Sequence, residues 1–368
     1  MNTIKKTVIT LSAASALTGV AHAQSSVTLY GLIDGGLTYT TNQKGGQTVQ
    51  MMSGITQGDR WGFRGSEDLG GGLHAIFVLE SGFSVTNGSL GQGGLAFGRQ
   101  AYVGLSSDHY GTVTLGRQYD QMVEQVSPVT TDQWSVLFEH PGDNDNTNRG
   151  FRVNNTIKYV TPTLSGAQFT AMYAPGGQPG SIATDSVWSL GGHYQHGGLY
   201  AGAAFTHVDH PASLATGTFW TTANSATGSY ALAARAYEVF GVGASYTIGA
   251  TKVGGAFTQS TFKGGLDGQD VRFQNYELNA AYRFTPALLL GGAFVYTNGV
   301  ADAGGIHPRY LQADLILDYA LSKRTDVYLM GTGQRALGTA QFAQVSQFLT
   351  ASSSNEQATV AIGMRHRF

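Results

Sequence analysis

The stretch at residues 275–284, NYELNAAYRF, shows the pattern that decides the fold. Apolar residues stand at every second position, at Tyr276, Leu278, Ala280, Tyr282 and Phe284. The positions between them are polar except for Ala281. Because successive side chains of a β-strand point to opposite faces, this alternation predicts a strand with one apolar and one polar face. Residues 311–319 and 360–368 alternate in the same way. We therefore predict an all-β protein.

The connections between the predicted strands alternate between short and long. Seven short turns and eight longer loops join sixteen strands in the sequence, and the predicted loops include residues 41–49 and 263–270. Short connections at one end and long ones at the other are typical of bacterial outer-membrane barrels. The chain supplies roughly 21 residues per strand with its connection, enough for transmembrane strands of about 9–11 residues. The predicted fold is a transmembrane antiparallel β-barrel of 16 strands, wide enough for an aqueous channel.

The first 23 residues have the features of a secretory signal. Lys5 and Lys6 precede an apolar centre at residues 7–20, and Ala-His-Ala at 21–23 is a small-residue cleavage site. We predict a signal peptide at 1–23 and a barrel domain at 24–368. No later apolar run reaches the roughly 18 residues of a membrane helix. With a net charge of −2, the chain offers no electrostatic case for nucleic acid.

The exported chain contains no cysteine. Small secreted folds are usually stabilised by disulfide bonds, so this fold must obtain its rigidity in another way. A barrel closed by strand pairing satisfies that requirement.

The longest interruption of the strand pattern is GRQYDQMVEQVSPVTTDQWSVLFEHPGDNDNTNRGFR, at residues 116–152. A structureless connection of this length is uncommon in a compact domain and is usually functional. We predict that it is the third external loop and that it folds into the barrel and narrows it. It ends in two bases, Arg149 and Arg152. Its acids are Asp120, Glu124, Asp132, Glu139, Asp143 and Asp145.

Residues 59–64, DRWGFR, alternate between aromatic and cationic side chains. Trp61 and Phe63 share one face, and Arg60 and Arg64 share the other. In a membrane barrel the aromatic face meets lipid at the headgroup level and the arginines face water inside. A soluble sandwich with an exposed basic face explains this strand alone equally well.

Three further predicted strands carry charged residues. In the strand at 73–82, Glu80 lies on the inner face. Arg99 shares a face with Ala101 and Val103, which we predict to be the inward one. In the strand at 151–162 the outward residues are Val153, Ile157 and Tyr159, and the inward ones are Arg152, Asn154, Thr156 and Lys158.

Arg117 shares its predicted face with Val113 and Leu115, the outward side. A charge that faces lipid is costly at the bilayer midplane. We therefore predict that Arg117 is covered by protein. The alternative is that it lies above the membrane, in water.

Several segments in this order resemble the general diffusion porins of Gram-negative bacteria, most closely the beta-proteobacterial branch. The resemblance extends over the whole chain after the signal. It departs from the enteric members, because Leu32 stands where they often carry a lysine and their Pro-Glu-Phe-Gly loop motif is absent. The matching segments are SSVTLYGLIDGG (25–36), DRWGFRGSEDLGGGL (59–73), FGRQAYVGL (97–105), GTVTLGRQYD (111–120), FRVNNTIKY (151–159), YRFTPALLLGG (282–292), YALSKRTDVYL (319–329) and GMRHRF (363–368).

The resemblance implies a homotrimer of sixteen-stranded barrels in the outer membrane, with periplasmic termini and contacts to lipid and lipopolysaccharide. It implies that the terminal Phe368 is read by the barrel-insertion machinery and that Arg117 lies at the trimer interface. It also implies a row of lumen bases that faces acids on the inward loop. The matching bases are Arg60, Arg99 and Arg152, with Arg64 close by, and the matching acids are Glu124 and Asp132, then Glu139.

The predicted function is a water-filled channel for passive diffusion of small hydrophilic solutes and ions, with a weak preference for anions. We predict neither an enzyme nor a cofactor or metal site. The alternatives are a substrate-specific channel, and a non-conducting adhesive or enzymatic barrel. The paired spacings of His193 with His196 and His207 with His210 fit turn histidines better than a metal site. The acidic stretch at 143–146 resembles the start of a calcium loop, but the positions after it lack the glycine and glutamate of such a loop. Weak calcium binding there is therefore an alternative that we do not predict.

Overall fold

The computed structural model describes residues 26–214, 218, 220–301 and 304–368. The predicted signal peptide lies outside the described residues. Seventeen strands in the described part form one antiparallel sheet. They are β1 Ser26–Gln43, β2 Gly46–Ser53, β3 Arg60–Gly70, β4 Leu73–Gly82, β5 Gln100–Ser107, β6 Gly111–Gln118, β7 Val153–Val160, β8 Ala167–Ala174, β9 Val187–His196, β10 Leu199–Asp209, β11 Ala236–Ile248, β12 Thr251–Leu266, β13 Gln269–Arg283, β14 Leu288–Ala301, β15 Pro308–Ala320, β16 Thr325–Gly338 and β17 Glu356–Arg367.

The sheet closes on itself. One edge of β1 pairs with β17, while its other edge pairs with β2 over residues 35–43 and with β3 over residues 26–32. β2 and β3 therefore share one position, and the seventeen strands occupy the sixteen positions of the predicted barrel. Within the described residues, closure pairs every barrel position with both of its neighbours, which removes the hazard of edge-to-edge aggregation. None of the helices in the described residues combines the length and apolarity that a bilayer crossing needs.

The alternation predicted from the sequence is confirmed in the strand walls. In β13, Tyr276 and Leu278 are exposed on the outer face, while Asn275 and Glu277 between them are buried. In β17 the exposed apolar residues are Val360, Ile362 and Met364. The barrel therefore has an apolar outer face and a polar inner face.

Two of the predicted loops are wrong, because the strands continue through them. The predicted loop at 41–49 is a hairpin that turns at Lys44 and Gly45, and the predicted loop at 263–270 turns at Asp267 and Gly268. All four residues have positive φ. Two-residue hairpins favour such turns, and Asp-Gly is their commonest signal.

The predicted facing is wrong at the start of β7. Val153, expected on the outer face, is buried, and Asn154, expected inside, is exposed. Gly116 pairs with Thr156 but Gln118 pairs with Val153, so β7 carries one extra residue there. This β-bulge reverses the alternation, which holds again from Thr156 onward.

Three long connections contribute buried apolar residues to two clusters that they share with the strands. The connections are residues 119–152, residues 210–235, which include the short helix α1 (Gly228–Ala233), and residues 339–355. Residues 119–152 form a series of short helical turns, as expected for a stretch rich in Pro, Gly, Asn and Asp. One apolar cluster centres on Trp220, Tyr237 and Phe262, and a second joins Ile55, Leu137, Phe138, Val345 and Leu349.

Candidate functional site

A cavity of about 960 Å³ lies where β3 and β4 meet residues 119–152. Its polar lining includes Gln57, Gln133 and Asn148. Its charged lining residues include five arginines and two acids, which are Arg60, Arg99, Arg149, Arg152, Arg367, Asp59 and Glu80. The excess of bases gives this region a positive potential.

Glu80 of β4 is the carboxylate that joins two of these arginines. Its Oε1 lies 2.7 Å from Nε of Arg99, and its Oε2 lies 3.8 Å from Nε of Arg60. Tyr30 donates a hydrogen bond to Oε2 at 3.0 Å, and Arg60 forms an ion pair with the same carboxylate. Charge-assisted hydrogen bonds of this kind are short and orienting. Glu80 therefore holds the two guanidinium groups side by side and offsets their repulsion.

Arg99 reaches Glu80 because it lies just before β5. The predicted inward face of Ala101 and Val103 is wrong, because Val103 is 56% exposed on the outer face. Strict alternation would turn Arg99 outward as well, yet it is buried. The irregular backbone ahead of the strand frees it from that alternation. Arg64 shares the inner face with Arg60, but it is exposed and its guanidinium lies 5.4 Å from the centroid of the Tyr30 ring.

Arg152 is held by Tyr119 and by the backbone of Arg149. Its guanidinium lies 5.1 Å from the centroid of the Tyr119 ring, a cation–π distance. It also donates to the Tyr119 hydroxyl at 3.4 Å and to the Arg149 carbonyl at 2.9 Å. Burial raises the pKa of Tyr119, but Arg152 and Arg99 outweigh burial and lower it to about 8.

Tyr119 was not predicted as a site residue, although it directly follows the strand motif GTVTLGRQ. Alternation predicts which face of a strand each side chain occupies, but it does not predict the direction of the first side chain beyond the strand.

The three predicted loop acids lie apart from the arginine cavity. Glu124 pairs with Lys158 at 2.6 Å and lines a separate cavity of about 330 Å³. Asp132 accepts a hydrogen bond from Thr130, and burial raises the pKa of its carboxyl to about 7. Glu139 accepts hydrogen bonds from Asn148 and from a backbone amide of residues 339–355, and burial raises its pKa.

A buried histidine bridges the long segment to the barrel wall. Nδ1 of His140 lies 2.7 Å from Asp145, and Nε2 lies 3.0 Å from Glu277 of β13. Burial lowers the pKa of His140, but the two carboxylates raise it well above its usual value. Burial likewise raises the pKa of Asp145, but His140 lowers it to about 2. Sequence analysis missed this bridge because its ends are distant in the chain.

Arg117 is covered within its own chain. Its side chain donates to the Gly98 carbonyl at 2.8 Å and to Asn154 at 2.6 Å, and the residue is 8% exposed. Its role at a subunit interface stays a prediction. The terminal Phe368 pairs through its backbone with Gly31.

Two groups of residues in the described part of the chain contain potential metal ligands. Asp185, Asp209 and His210 bring ligand atoms within 4.8 Å of one another at the protein surface. In the stretch 143–146, the carboxylates of Asp143 and Asp145 accept hydrogen bonds from the protein itself. We assign a metal to neither group.

The chain matches known porins over most of its length. A family model described as Gram-negative porin matches residues 10–336. An outer membrane porin protein of Bordetella pertussis is 29% identical over 414 residues, covering 99% of this chain and 100% of the relative. Outer membrane porin protein 32 of Delftia acidovorans is 30% identical over 383 residues, with coverage of 99% and 100%.

Solved structures show the same fold. An anion-selective porin from Comamonas acidovorans has a TM-score of 0.75 at 24% identity, and the match covers 94% of this chain and 100% of that one. The trimer form of OmpT from Vibrio cholerae has a TM-score of 0.70 at 15% identity, covering 94% and 99%. The relatives are porins, which are channels rather than enzymes. A closed sixteen-position barrel, an arginine-lined cavity and this family match together show that the chain belongs to the Gram-negative porin family.

Proposed function

We propose that the protein is a general diffusion channel of the outer membrane, through which small hydrophilic solutes and ions pass with a weak preference for anions. The observation that carries the proposal is the excess of arginines over carboxylates around the cavity inside the barrel. Rings of like charge bias ion passage, and a low-dielectric wall strengthens that bias. The porin from Comamonas acidovorans, which shares the fold, is described as anion-selective, in agreement with this preference.

We further infer that residues 119–152 fold into the lumen and narrow it. The segment leaves and re-enters the wall at neighbouring strands, β6 and β7. Along its course, Ser135 donates to the carbonyl of Ile55, beside β2, and His140 contacts Glu277 of β13. These partners stand six positions apart around the barrel. A connection that reaches both from β6 supports a path across the interior.

The assembled channel is, in this proposal, a homotrimer in contact with outer-membrane lipid and lipopolysaccharide. Exposed apolar side chains such as Leu29, Ile33 and Leu37 on β1 give the outer face the surface that both kinds of contact need. OmpT of Vibrio cholerae, which shares the fold, is described in a trimer form. Export uses the signal peptide at 1–23, and Phe368 directs the insertion machinery.

Single-channel current from the purified protein in a planar bilayer tests the function. We expect nearly ohmic steps that close in threes, and a reversal potential of anion-preferring sign under a potassium chloride gradient. The triple variant Arg60→Gln, Arg99→Gln and Arg152→Gln should shift the reversal potential towards cations. An unchanged reversal potential in that variant refutes the role of the arginines. A folded barrel that does not conduct refutes the channel itself.

A further inference from the structure

β2 and β3, which share one barrel position, are joined by an insertion at residues 54–59. These six residues are not part of the strand pairing with β1. Ser53, the last residue of β2, pairs with Gly35 of β1, and Arg60, the first residue of β3, pairs with Leu32. Two residues of β1 thus stand opposite six residues of the neighbouring position. Surplus residues must bend out of the sheet, as in any β-bulge.

The insertion turns into the barrel. Ile55, Thr56 and Asp59 are buried, whereas an outward excursion would expose them to lipid. Thr56, Gln57, Gly58 and Asp59 line the arginine cavity. The insertion therefore occupies space in the lumen at the level of the arginines.

Asp34 of β1 holds the insertion in this place. Its carboxylate accepts the backbone N–H groups of Thr56 at 2.7 Å and Gln57 at 3.0 Å. The hydroxyl groups of Thr56 and Tyr328 donate to the same carboxylate. The backbone N–H of Asp34 donates in turn to Asp59. Asp34 is fully buried, so these charge-assisted bonds are made in a region of low dielectric constant.

The insertion also contacts both other parts of the cavity wall. The carbonyl of Ile55 accepts the Ser135 hydroxyl of the long segment at 2.7 Å. The carbonyl of Gly58 accepts Nη1 of Arg60 at 3.4 Å. A Cβ added at Gly58 would lie 3.1 Å from Nη1 of Arg99, so the glycine lets the backbone approach that guanidinium closely.

We propose that residues 54–59 are a second constriction element, on the strand wall beside the long segment, and that Asp34 is its positioning residue. The proposal rests on the proposed channel function. It assigns part of the pore's bore and selectivity to a strand interruption, in addition to the external loop.

Cysteine labelling tests the place of the insertion, because the chain has no cysteine of its own. Gln57→Cys channels treated with an anionic methanethiosulfonate reagent should lose about half of their conductance and part of their anion preference, since the label narrows the bore and adds negative charge. Glu356→Cys is the matched control, since this side chain is 65% exposed. Unchanged current in Gln57→Cys channels that mass spectrometry shows to be fully labelled overturns the proposal.

Asp34→Asn tests the positioning role. We expect conductance to rise about twofold as the insertion loosens and the bore widens, and anion preference to fall because ions in a wider bore pass farther from Arg60 and Arg99. Asp314→Asn makes the same substitution at another buried acid, away from the insertion, and should leave the conductance near its original value. Equal conductance changes in the two variants would mean that substituting any buried acid has this effect, and would overturn the positioning role of Asp34.

The outcomes separate this inference from the channel function. If the unmodified protein does not conduct, the channel proposal fails first. If it conducts with anion preference but responds to neither change, the second constriction alone is refuted. Should Asp34→Asn fail to fold, the labelling of Gln57→Cys decides the matter.

Discussion

Replacing Glu80 with glutamine should increase the preference for anions. The substitution keeps the shape of the side chain and an acceptor for Arg99, and it removes the negative charge that lies 2.7 Å from Arg99 and 3.8 Å from Arg60. The arginines remain, so the region gains one net positive charge.

The size of the effect follows from Coulomb's law. For an ion path about 8 Å from the carboxylate in water, one unit charge changes the energy of a monovalent ion by about 0.5 kcal/mol. Anions and cations respond with opposite signs, so their permeability ratio should change by about 1 kcal/mol, or roughly fivefold. A lower effective dielectric constant inside the barrel makes the change larger.

The assay is the reversal potential under a potassium chloride gradient, measured for the unmodified channel and for Glu80→Gln. Glu356→Gln is the control, because Glu356 forms an exposed pair with Arg335 at 3.4 Å and carries the same charge change outside the cavity. A Glu80→Gln channel with an unchanged reversal potential, or one shifted towards cations, refutes the assignment of Glu80 to the ion path.

Four further predictions concern the long segment. As the pH rises through about 8, the Tyr119 phenol should ionise and lower the anion preference, and Tyr119→Phe should abolish this pH dependence of the reversal potential. Gly202→Ala should change the conductance, because a Cβ there overlaps the backbone of the segment, whereas Gly333→Ala, where a Cβ meets no described atom within 4 Å, should not. Asp145→Asn should cost about 3–5 kcal/mol of local stability by leaving His140 without its buried partner, visible as faster hydrogen exchange in residues 119–152. Because the pKa of Asp145 is lowered to about 2, its stabilisation should persist above pH 4 or so and disappear as the pH falls towards 2 in the same exchange measurement.

Local patterns in the sequence are sufficient to predict the β-barrel fold and its number of strand positions. The two-residue alternation at 275–284 and 360–368 identifies strands with one apolar face, because that period is a local property of extended chain. The spacing of turns gave the correct number of positions, even though the loops predicted at 41–49 and 263–270 proved to be tight hairpins. The same alternation identified Arg60 and Glu80 as inner-face residues.

The pairing of charged groups, in contrast, depends on the tertiary structure. The carboxylate beside Arg60 and Arg99 belongs to Glu80 of the wall, and the predicted loop acid Glu124 pairs with Lys158 instead. Alternation describes a strand only while its ladder is regular. The extra residue in β7 and the insertion at 54–59 break that regularity, and pairing with a distant strand decides where each break points. His140 and Glu277 come together for the same reason, since barrel closure makes neighbours of residues that no local pattern connects.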